Sequence, residues 1–440
     1  MPKIQTIQEI QAAPRAKSIL LFLMLLNILN MLDRSLIAAF AQTILQDLDL
    51  SPSQFGLLNG WIFTVCYVGM GLFMGALADR FHRPRLIAAG LVLWSALTMA
   101  SGAAKSFLQI GLSRLLIGVG ESTMTPTSMS LLSDVFPQRQ RGTAVGLYYL
   151  GVPVGTSLAF ILAGTLGVSI GWRNCFYLLG AIGIVLAIGL LLMKDPQRGA
   201  MEPVAETAAE PQPAVHWREG LADLWQVLKS SPVLIWIMLG AVMLHIPIGA
   251  GTFAIPWLIT ERGFEAGYIT GLYGLIYLIF GTAGTLFGGA MSDWYQRRFK
   301  GGRIRFLALL MIAVTPLTLG FRFAAPDSLI FFLGMSFALF SVSSFYGPAF
   351  STVQDLTPVR LRGVMTAVLL VACNLLGFSV GSFMTGVIQE ALQAAAVVNP
   401  YTMSLLVADV VGGLTIPCFI YASIKLERQR SQMATQSQSA

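Results

Sequence analysis

Long apolar runs separated by short polar segments make up most of this chain. Twelve such runs can be delimited, and they cover residues 18–45, 54–78, 84–104, 107–134, 142–168, 173–194, 232–260, 267–292, 304–324, 328–354, 361–390 and 401–424. A helix needs about 20 apolar residues to cross a hydrocarbon core about 30 Å thick. The runs lack the alternation of membrane β-barrel strands. The pattern therefore predicts an all-α membrane protein with twelve transmembrane helices, here called spans 1–12.

The basic residues indicate how the spans are oriented. If the N-terminus is cytoplasmic, 22 of the 28 Lys and Arg residues fall in cytoplasmic segments or at the adjoining span ends. Four fall in the opposite loops or at the span ends beside them, and two, Arg34 and Arg114, lie deep within spans. Cytoplasmic loops of membrane proteins carry such an excess. We therefore expect both termini in the cytoplasm, and the net charge of +7 reflects topology, with no nucleic-acid partner.

Composition supports a membrane location. Hydrophobic residues make up 55% of the chain and charged residues 11%, against about 25% charged residues in soluble domains. A soluble or disordered chain is thereby excluded. Residues 195–215 are rich in Pro, Ala and Glu, and Leu221, Leu224, Trp225 and Leu228 then follow a helical spacing. We expect a cytoplasmic tail, a six-helix bundle, a linker with a short amphipathic helix, a second six-helix bundle and a tail, at residues 1–17, 18–194, 195–231, 232–425 and 426–440.

Two short motifs occur twice. Gly75-Ala-Leu-Ala-Asp79-Arg80 after span 2 is matched by Gly289-Ala-Met-Ser-Asp293-Trp294 after span 8. The pattern D-x-x-P-x-R-x-R-G follows span 4 from Asp134 and span 10 from Asp355. Each motif and its copy are separated by nearly the same stretch of chain, which indicates a duplicated six-helix unit whose two copies face the same way. Parallel repeats of this kind place a substrate site at their interface near mid-membrane.

These motifs resemble those of the major facilitator superfamily. Residues 75–85 are similar to its loop 2–3 signature, except that His82 stands where the general pattern has Gly, and Gly151, Pro153 and Gly155 are similar to its helix-bending motif in span 5. The resemblance implies two parallel six-helix bundles that work by alternating access.

A cytoplasmic gate is expected where the repeated motifs meet the opposite half. A carboxylate at Asp79 would face the positive N-terminus of span 11 near Gly363, and Asp293 would do the same to span 5. The alternative is that these charges only fix topology. The expected gate residues are Asp79, Arg80, Arg83, Arg141, Asp293 and Arg362.

Four ionisable residues lie within the spans of the N-terminal half, where charges are costly and functional by default. At 1.5 Å per residue, Asp33 and Arg34 lie about 22 Å from the cytoplasmic side, roughly level with Arg114, and Glu121 lies about 10 Å nearer the cytoplasm. A structural ion-pair network is one interpretation. The other is proton coupling at Asp33 and Glu121, with Arg34 and Arg114 balancing charge or binding an anionic substrate group.

The spans of the C-terminal half contain few charges. We expect His245 and Asp409 to be satisfied by neighbouring helices, and Gly249 and Gly251 to make span 7 bendable. Tyrosines are candidate cavity residues, at positions 148, 149, 273, 277 and 346. A charged half facing an apolar half predicts an amphipathic cavity and an amphipathic substrate.

Four segments together resemble the Spinster family of lysolipid and sphingolipid transporters. They are Asn30–Arg34, Arg114–Ser122, Pro137–Gly142 and Gly171–Arg173. The resemblance implies a bacterial member in the inner membrane that moves an amphipathic lipid, such as a lysophospholipid, coupled to protons, with the four N-half charges at its centre.

Two other substrate classes stay open, small organic anions and the drugs taken by multidrug exporters. No enzyme motif or metal-ligand spacing stands out, so we expect a monomeric transporter without cofactor or metal, whose partners are the lipid bilayer, its substrate and protons.

Overall fold

The structure, a computed structural model, describes residues 15–201, 217–358 and 361–439. Within these ranges it leaves out the side chains of 72, 76, 79, 217–222, 224, 430 and 433–439. Residues 1–14 of the predicted N-terminal tail and residues 202–216 of the predicted linker lie outside the described residues, as does the side chain of Asp79. The described chain is helical throughout and contains no strand.

Spans 1–6 form the N-terminal half. Their helices are Ala16–Ala39 and Ala41–Asp47 (span 1); Pro52–Leu57, the π-helical turn Leu58–Ile62, and Phe63–Arg80 (span 2); Arg83–Ala103 (span 3); Phe107–Glu121 and Met124–Val135 (span 4); Gln138–Tyr149 and Gly151–Gly164 (span 5); and Leu166–Ile170 and Trp172–Leu191 (span 6).

Spans 7–12 form the C-terminal half. Their helices are Pro232–Ala250, the 3₁₀ turn Gly251–Phe253, and Ala254–Thr260 (span 7); Ala266–Ile276, the π-helical turn Tyr277–Gly281, and Thr282–Arg298 (span 8); Gly302–Gly320 (span 9); Leu329–Ser343 and Tyr346–Leu356 (span 10); Arg362–Val371, the π-helical stretch Ala372–Phe378, and Ser379–Ala394 (span 11); and Pro400–Gly413 and Thr415–Ser439 (span 12).

Eleven described helices are long and apolar enough to cross a membrane, so the chain is a multi-pass membrane protein. The twelfth predicted span, span 4, is interrupted after Glu121, which leaves pieces of 15 and 12 residues. The expected helix Trp217–Ser230 forms between the halves. A 3₁₀ turn at Gly251–Phe253 interrupts span 7 beside the glycines that predict a bendable helix.

The irregularities of the helices repeat along the chain. The π-helical turn Leu58–Ile62 in span 2 has a counterpart of the same length at Tyr277–Gly281 in span 8. Ser106 caps span 4 by accepting from a backbone N–H, and Ser328 does the same for span 10. Since spans 2 and 8, and spans 4 and 10, are also the pairs that share sequence motifs, these structural repeats support the duplication.

The motif D-x-x-P-x-R-x-R-G forms the same contacts in both halves. Asp134 pairs with Arg83 at the start of span 3, and Asp355 pairs with Arg303 at the start of span 9, at 2.6 Å. The last arginine of each motif donates to a backbone carbonyl five residues earlier. We call this side, where the Arg-rich loops lie, the basic end of the bundle.

The two halves pack against each other at the opposite end, which we call the far end. There the backbone N–H of Ser53 in span 2 donates to the carboxylate of Glu390 in span 11, at 2.9 Å. Spans 5 and 8 approach so closely that a Cβ on Gly164 would collide with the backbone of Gly271. Glycines therefore permit the contact between the halves here.

At the basic end the corresponding glycines face open space. Of the atoms that the structure describes in other elements, none would lie within 4 Å of a Cβ on Gly75, Gly142, Gly146 or Gly363. Since Gly363 begins span 11 and Gly142 begins the transmembrane part of span 5, the halves are apart at these positions. This conformation is closed at the far end and open near the basic end.

Candidate functional site

A cavity of about 390 Å³ lies between the halves. Spans 1, 2, 4 and 5 line it from one side and spans 7–12 from the other. Aromatic and aliphatic side chains form most of its wall, among them Phe63, Phe160, Trp257, Tyr273 and Met335. Its charged lining residues, within the described chain, are Arg34 and Arg114 from the N-terminal half and Arg322 and Asp409 from the C-terminal half.

Arg34 joins the cavity to a buried carboxylate. Its Nε lies 2.5 Å from the Glu121 carboxylate oxygen, which connects span 1 with span 4. The Arg34 side chain keeps 21% of its surface exposed, whereas the Glu121 side chain has none. A ligand in the cavity can therefore reach the cation, but it reaches the anion only by moving the cation.

Asp33 lies on the buried side of span 1. Its Oδ1 accepts a hydrogen bond of 2.8 Å from the Thr98 hydroxyl in span 3. Among the described residues, its Oδ2 has no hydrogen-bond partner, and neither do Oε1 of Glu121 and Nε of Arg114. Unsatisfied buried polar atoms are rare in native proteins because each costs about 1–3 kcal/mol. Two of these atoms are carboxylate oxygens, which can bind protons.

Aromatic rings hold both arginines. The guanidinium of Arg34 lies 3.9 Å from the Tyr67 ring centroid and 4.9 Å from that of Phe63. Arg114 lies 5.0 Å from the same Phe63 ring. Phe63 follows the π-helical turn of span 2 directly, and such turns are frequent at functional sites. The sequence did not point to Phe63, Tyr67 and Thr98 as site residues. The one available signal was that two aromatic residues, Phe63 and Tyr67, lie one turn apart in span 2.

The depths estimated along the helices do not decide which side chains meet. Glu121 was expected about 10 Å nearer the basic end than Arg34, but the two side chains are in direct contact. Arg114, expected level with Asp33, forms no direct ion pair with a described carboxylate. The reason is that tilt and the long arginine side chain, neither visible in a residue count, decide which groups meet.

The expectation of an apolar C-terminal half is wrong. Arg322, which the sequence placed at the outer end of span 9, bonds Asp409 of span 12, with Nε 2.9 Å from the carboxylate oxygen. Both residues line the cavity. The expectation that Asp409 is satisfied by a neighbouring helix is confirmed, because Arg322 directly follows the end of span 9.

His245 is satisfied as expected. Its Nδ1 lies 2.7 Å from the carbonyl oxygen of Ala241, and its Nε2 lies 3.3 Å from the Tyr346 hydroxyl. Tyr273, Tyr277 and Tyr346 line the cavity. Tyr148 instead packs inside the N-terminal half, where its backbone carbonyl accepts from Asn27.

Four of the expected gate residues form contacts in the described part of the chain, and none of these contacts joins the two halves. They are Arg83, Arg141, Asp293 and Arg362. Arg83 is fully buried and bonds Asp195 at 2.8 Å besides Asp134. Asp293 pairs with Arg303 at 2.7 Å rather than with span 5. Arg80 is exposed. The closed form of this gate stays a prediction.

The helix-bending motif lies at a break. Span 5 is interrupted at Leu150, one residue before Gly151. A Cβ on Gly155 would collide with the backbone carbonyl of Ile28 in span 1. Gly151 and Gly155 therefore allow spans 1 and 5 to approach, and Pro153 lies between them.

Known proteins resemble this chain over most of its length. A family model described as Major Facilitator Superfamily matches residues 23–382. An MFS-type efflux pump of Mycolicibacterium smegmatis is 27% identical over 412 residues, 92% of either chain. The human protein spinster homolog 3 is 24% identical over 92% of this chain and 83% of its own.

A solved structure shares the fold. It is a bacterial homolog of the human lysosomal transporter Spinster in an inward-facing, unoccupied conformation, with a TM-score of 0.80 and 24% identity. The match covers 95% of this chain and 98% of that one.

Proposed function

This chain belongs to the major facilitator superfamily, and from that premise we propose that it is a proton-coupled transporter of an amphipathic lipid, working by alternating access. Its family and fold are those of transporters, not of enzymes, and it is Spinster-like. The substrate class we propose is a lysophospholipid or a similar single-chain amphiphile. The proposed location is a bacterial inner membrane, with the basic end and both termini in the cytoplasm.

The observation that carries proton coupling is the contact between Arg34 and Glu121. Arg34 lines the cavity while its partner Glu121 is buried, and Asp33 directly precedes Arg34 in the chain. An anionic substrate group that bound Arg34 would weaken the Arg34–Glu121 pair. A buried carboxylate that loses its cation is costly unless it takes up a proton. Substrate binding and proton binding are thereby linked.

The cavity supports an amphipathic substrate. The cavity lining is mainly aromatic and aliphatic, but it includes cationic groups from both halves. A headgroup can bind the arginines while an acyl chain lies along the apolar wall. Several curated relatives carry the name spinster.

Export of drugs is a second candidate function, because one relative is named an efflux pump. An aromatic wall also suits planar organic molecules. The two candidates differ in the ligand charge they need, since the cavity arginines favour anions and disfavour cations.

A transport assay in proteoliposomes tests both candidates. We expect an imposed proton gradient to drive uptake of a radiolabelled lysophospholipid, and not of a cationic dye or a small dicarboxylate. Asp33→Asn and Glu121→Gln each remove one proton-binding group, so we expect gradient-driven accumulation to fall at least tenfold while exchange without a gradient persists.

Glu427→Gln is the matched control, because Glu427 pairs with Arg305 at the exposed basic end and should leave accumulation unchanged. Accumulation that is equally strong in Asp33→Asn and Glu121→Gln would contradict proton coupling at these residues. Uptake of the dye alone would favour the drug exporter.

A further inference from the structure

The C-terminal half holds an ion pair that the proposed proton coupling does not use. Arg322 lies at the far end of span 9, and Asp409 lies within span 12. Their side chains are 11% and 17% exposed, and both line the cavity between the halves. A charge pair so nearly buried is expensive to desolvate. Since apolar side chains could join the two helices without this cost, the pair points to a role beyond helix packing.

The guanidinium of Arg322 is only partly used. It meets Asp409 through Nε alone, at 2.9 Å. Among the residues that the structure describes, neither terminal nitrogen of Arg322 has a hydrogen-bond partner. A guanidinium recognises carboxylates and phosphates best through two parallel N–H donors. A ligand anion that bound Nε and one terminal nitrogen of Arg322 would make this two-donor contact, and Arg322 lines the cavity.

Aromatic rings fix the position of this guanidinium. Its central carbon lies 4.7 Å from the Trp257 ring centroid and 4.8 Å from that of Phe321. Behind it, Arg262 donates to the backbone carbonyl of Arg322 and also lies over Trp257, at 5.2 Å. Because these contacts already restrict the Arg322 side chain, it loses little further conformational entropy when it binds an anion.

The carboxylate beside Arg262 in the chain is already occupied. Glu261, next to Arg262, accepts hydrogen bonds from the backbone N–H groups of Tyr401 and Thr402 at the start of span 12. Among the carboxylates of the described residues, only Asp409 forms an ion pair with Arg322. Asp409 thus occupies Nε, which is one of the two parallel donors that a bidentate ligand anion would need.

We propose that Arg322 is a second anion subsite, in the C-terminal half, for the phosphate or carboxylate group of the transported amphiphile, and that Asp409 is the resident counter-ion which that anion displaces. The identity of the ligand as an amphiphile rests on the proposed function; the anion subsite does not. Arg34 and Arg114 line the same cavity from the other half. A bound anion can therefore contact cationic groups of both halves, which move relative to each other during alternating access.

Opposite effects of two substitutions test the subsite. The full-length protein in phosphatidylcholine nanodiscs is titrated with an anionic lysophospholipid, with zwitterionic lysophosphatidylcholine and with inorganic phosphate. Arg322→Gln removes charge-assisted hydrogen bonds, so the Kd of the anionic lipid should rise at least about tenfold. Asp409→Asn removes the competing anion, so the same Kd should fall several-fold.

Arg305→Gln is the charge-matched control, because it breaks an exposed pair with Glu427 outside the cavity and should leave each Kd unchanged. Overturning results are an unchanged Kd for the anionic lipid in Arg322→Gln, or weaker binding in both Arg322→Gln and Asp409→Asn. A thermal unfolding scan of each variant shows whether a binding loss is a folding loss.

The titrations with lipids and with inorganic phosphate distinguish a failure of the subsite from a failure of the proposed function. Binding of the anionic lipid that ignores Arg322→Gln overturns the subsite and leaves the lipid transporter standing. Binding of inorganic phosphate that depends on Arg322, with no binding of either lipid, supports the subsite and overturns the lipid substrate.

Discussion

At the scale of single residues, Phe63 occupies the most consequential position in the N-terminal half. Its ring lies within 5.0 Å of both Arg34 and Arg114. An apolar ring in this place lowers the cost of holding two cations near each other, because its face carries partial negative charge. The geometry of the cluster thus depends on a residue that carries no charge.

We expect Phe63→Leu to weaken substrate binding about three- to tenfold, or about 1 kcal/mol, because Arg34 and Arg114 lose the cation–π contacts that position them. The Kd for the anionic lysophospholipid measures this. Phe160→Leu is the matched control, since Phe160 lines the same cavity but packs against Tyr273. Equal effects of the two substitutions would show that only apolar volume matters.

At the scale of helices, carboxylates at helix N-termini recur. Glu265 caps span 8 in its own half, and hydrogen bonds from the N–H groups of Tyr268 and Gly267 lower its pKa. Glu390 of span 11 does the same for span 2 of the other half, through Ser53. The expected gate at the basic end uses this contact between the same two spans. The far end therefore carries a counterpart of that gate.

We expect Glu390→Gln to shift the protein toward a conformation open at the far end. A carboxylate at a helix N-terminus contributes about 0.3–2 kcal/mol, and here that contribution is made between halves. Spin labels on Asp49→Cys and Val398→Cys, both exposed at the far end, should show a larger share of long distances.

Glu265→Gln is the control for Glu390→Gln, because it weakens a cap within one half and should leave the distance distribution unchanged. A distribution that is the same in Glu390→Gln and the parent would show that the Ser53 contact does not hold the far end closed.

At the scale of the whole molecule, small residues set how the halves meet. Spans 5 and 8 touch at the far end because Gly164 faces the backbone of Gly271. Gly146, nearer the basic end of span 5, has no described atom of another element within 4 Å of where its Cβ would be. One helix thus carries a packed glycine at the closed end and a free glycine at the open end.

Alanine at these two glycines should have opposite consequences. Both substitutions favour the helix by up to about 1 kcal/mol, so we expect Gly146→Ala to raise the Tm slightly. Gly164→Ala adds a Cβ that collides with span 8, so we expect a lower Tm or a wider separation of the labels at Asp49→Cys and Val398→Cys. A raised Tm with unchanged distances in Gly164→Ala would contradict the contact.

The sequence by itself determined the helical membrane class, the two repeated halves and the residues at the charged centre, because each of these follows from local pattern. Apolar runs and positive loops are set by transfer of the chain into lipid, and the motifs Asp134–Gly142 and Asp355–Gly363 show the duplication directly.

Only the tertiary structure decided that Glu121 meets Arg34, that Arg322 turns into the cavity, and that the halves close at the far end. These outcomes depend on helix tilt, rotation and the reach of long side chains. Arg322 shows this most clearly. Counted along the chain it lies past the end of span 9, but the turn after Gly320 and the length of its side chain bring its charge back to Asp409.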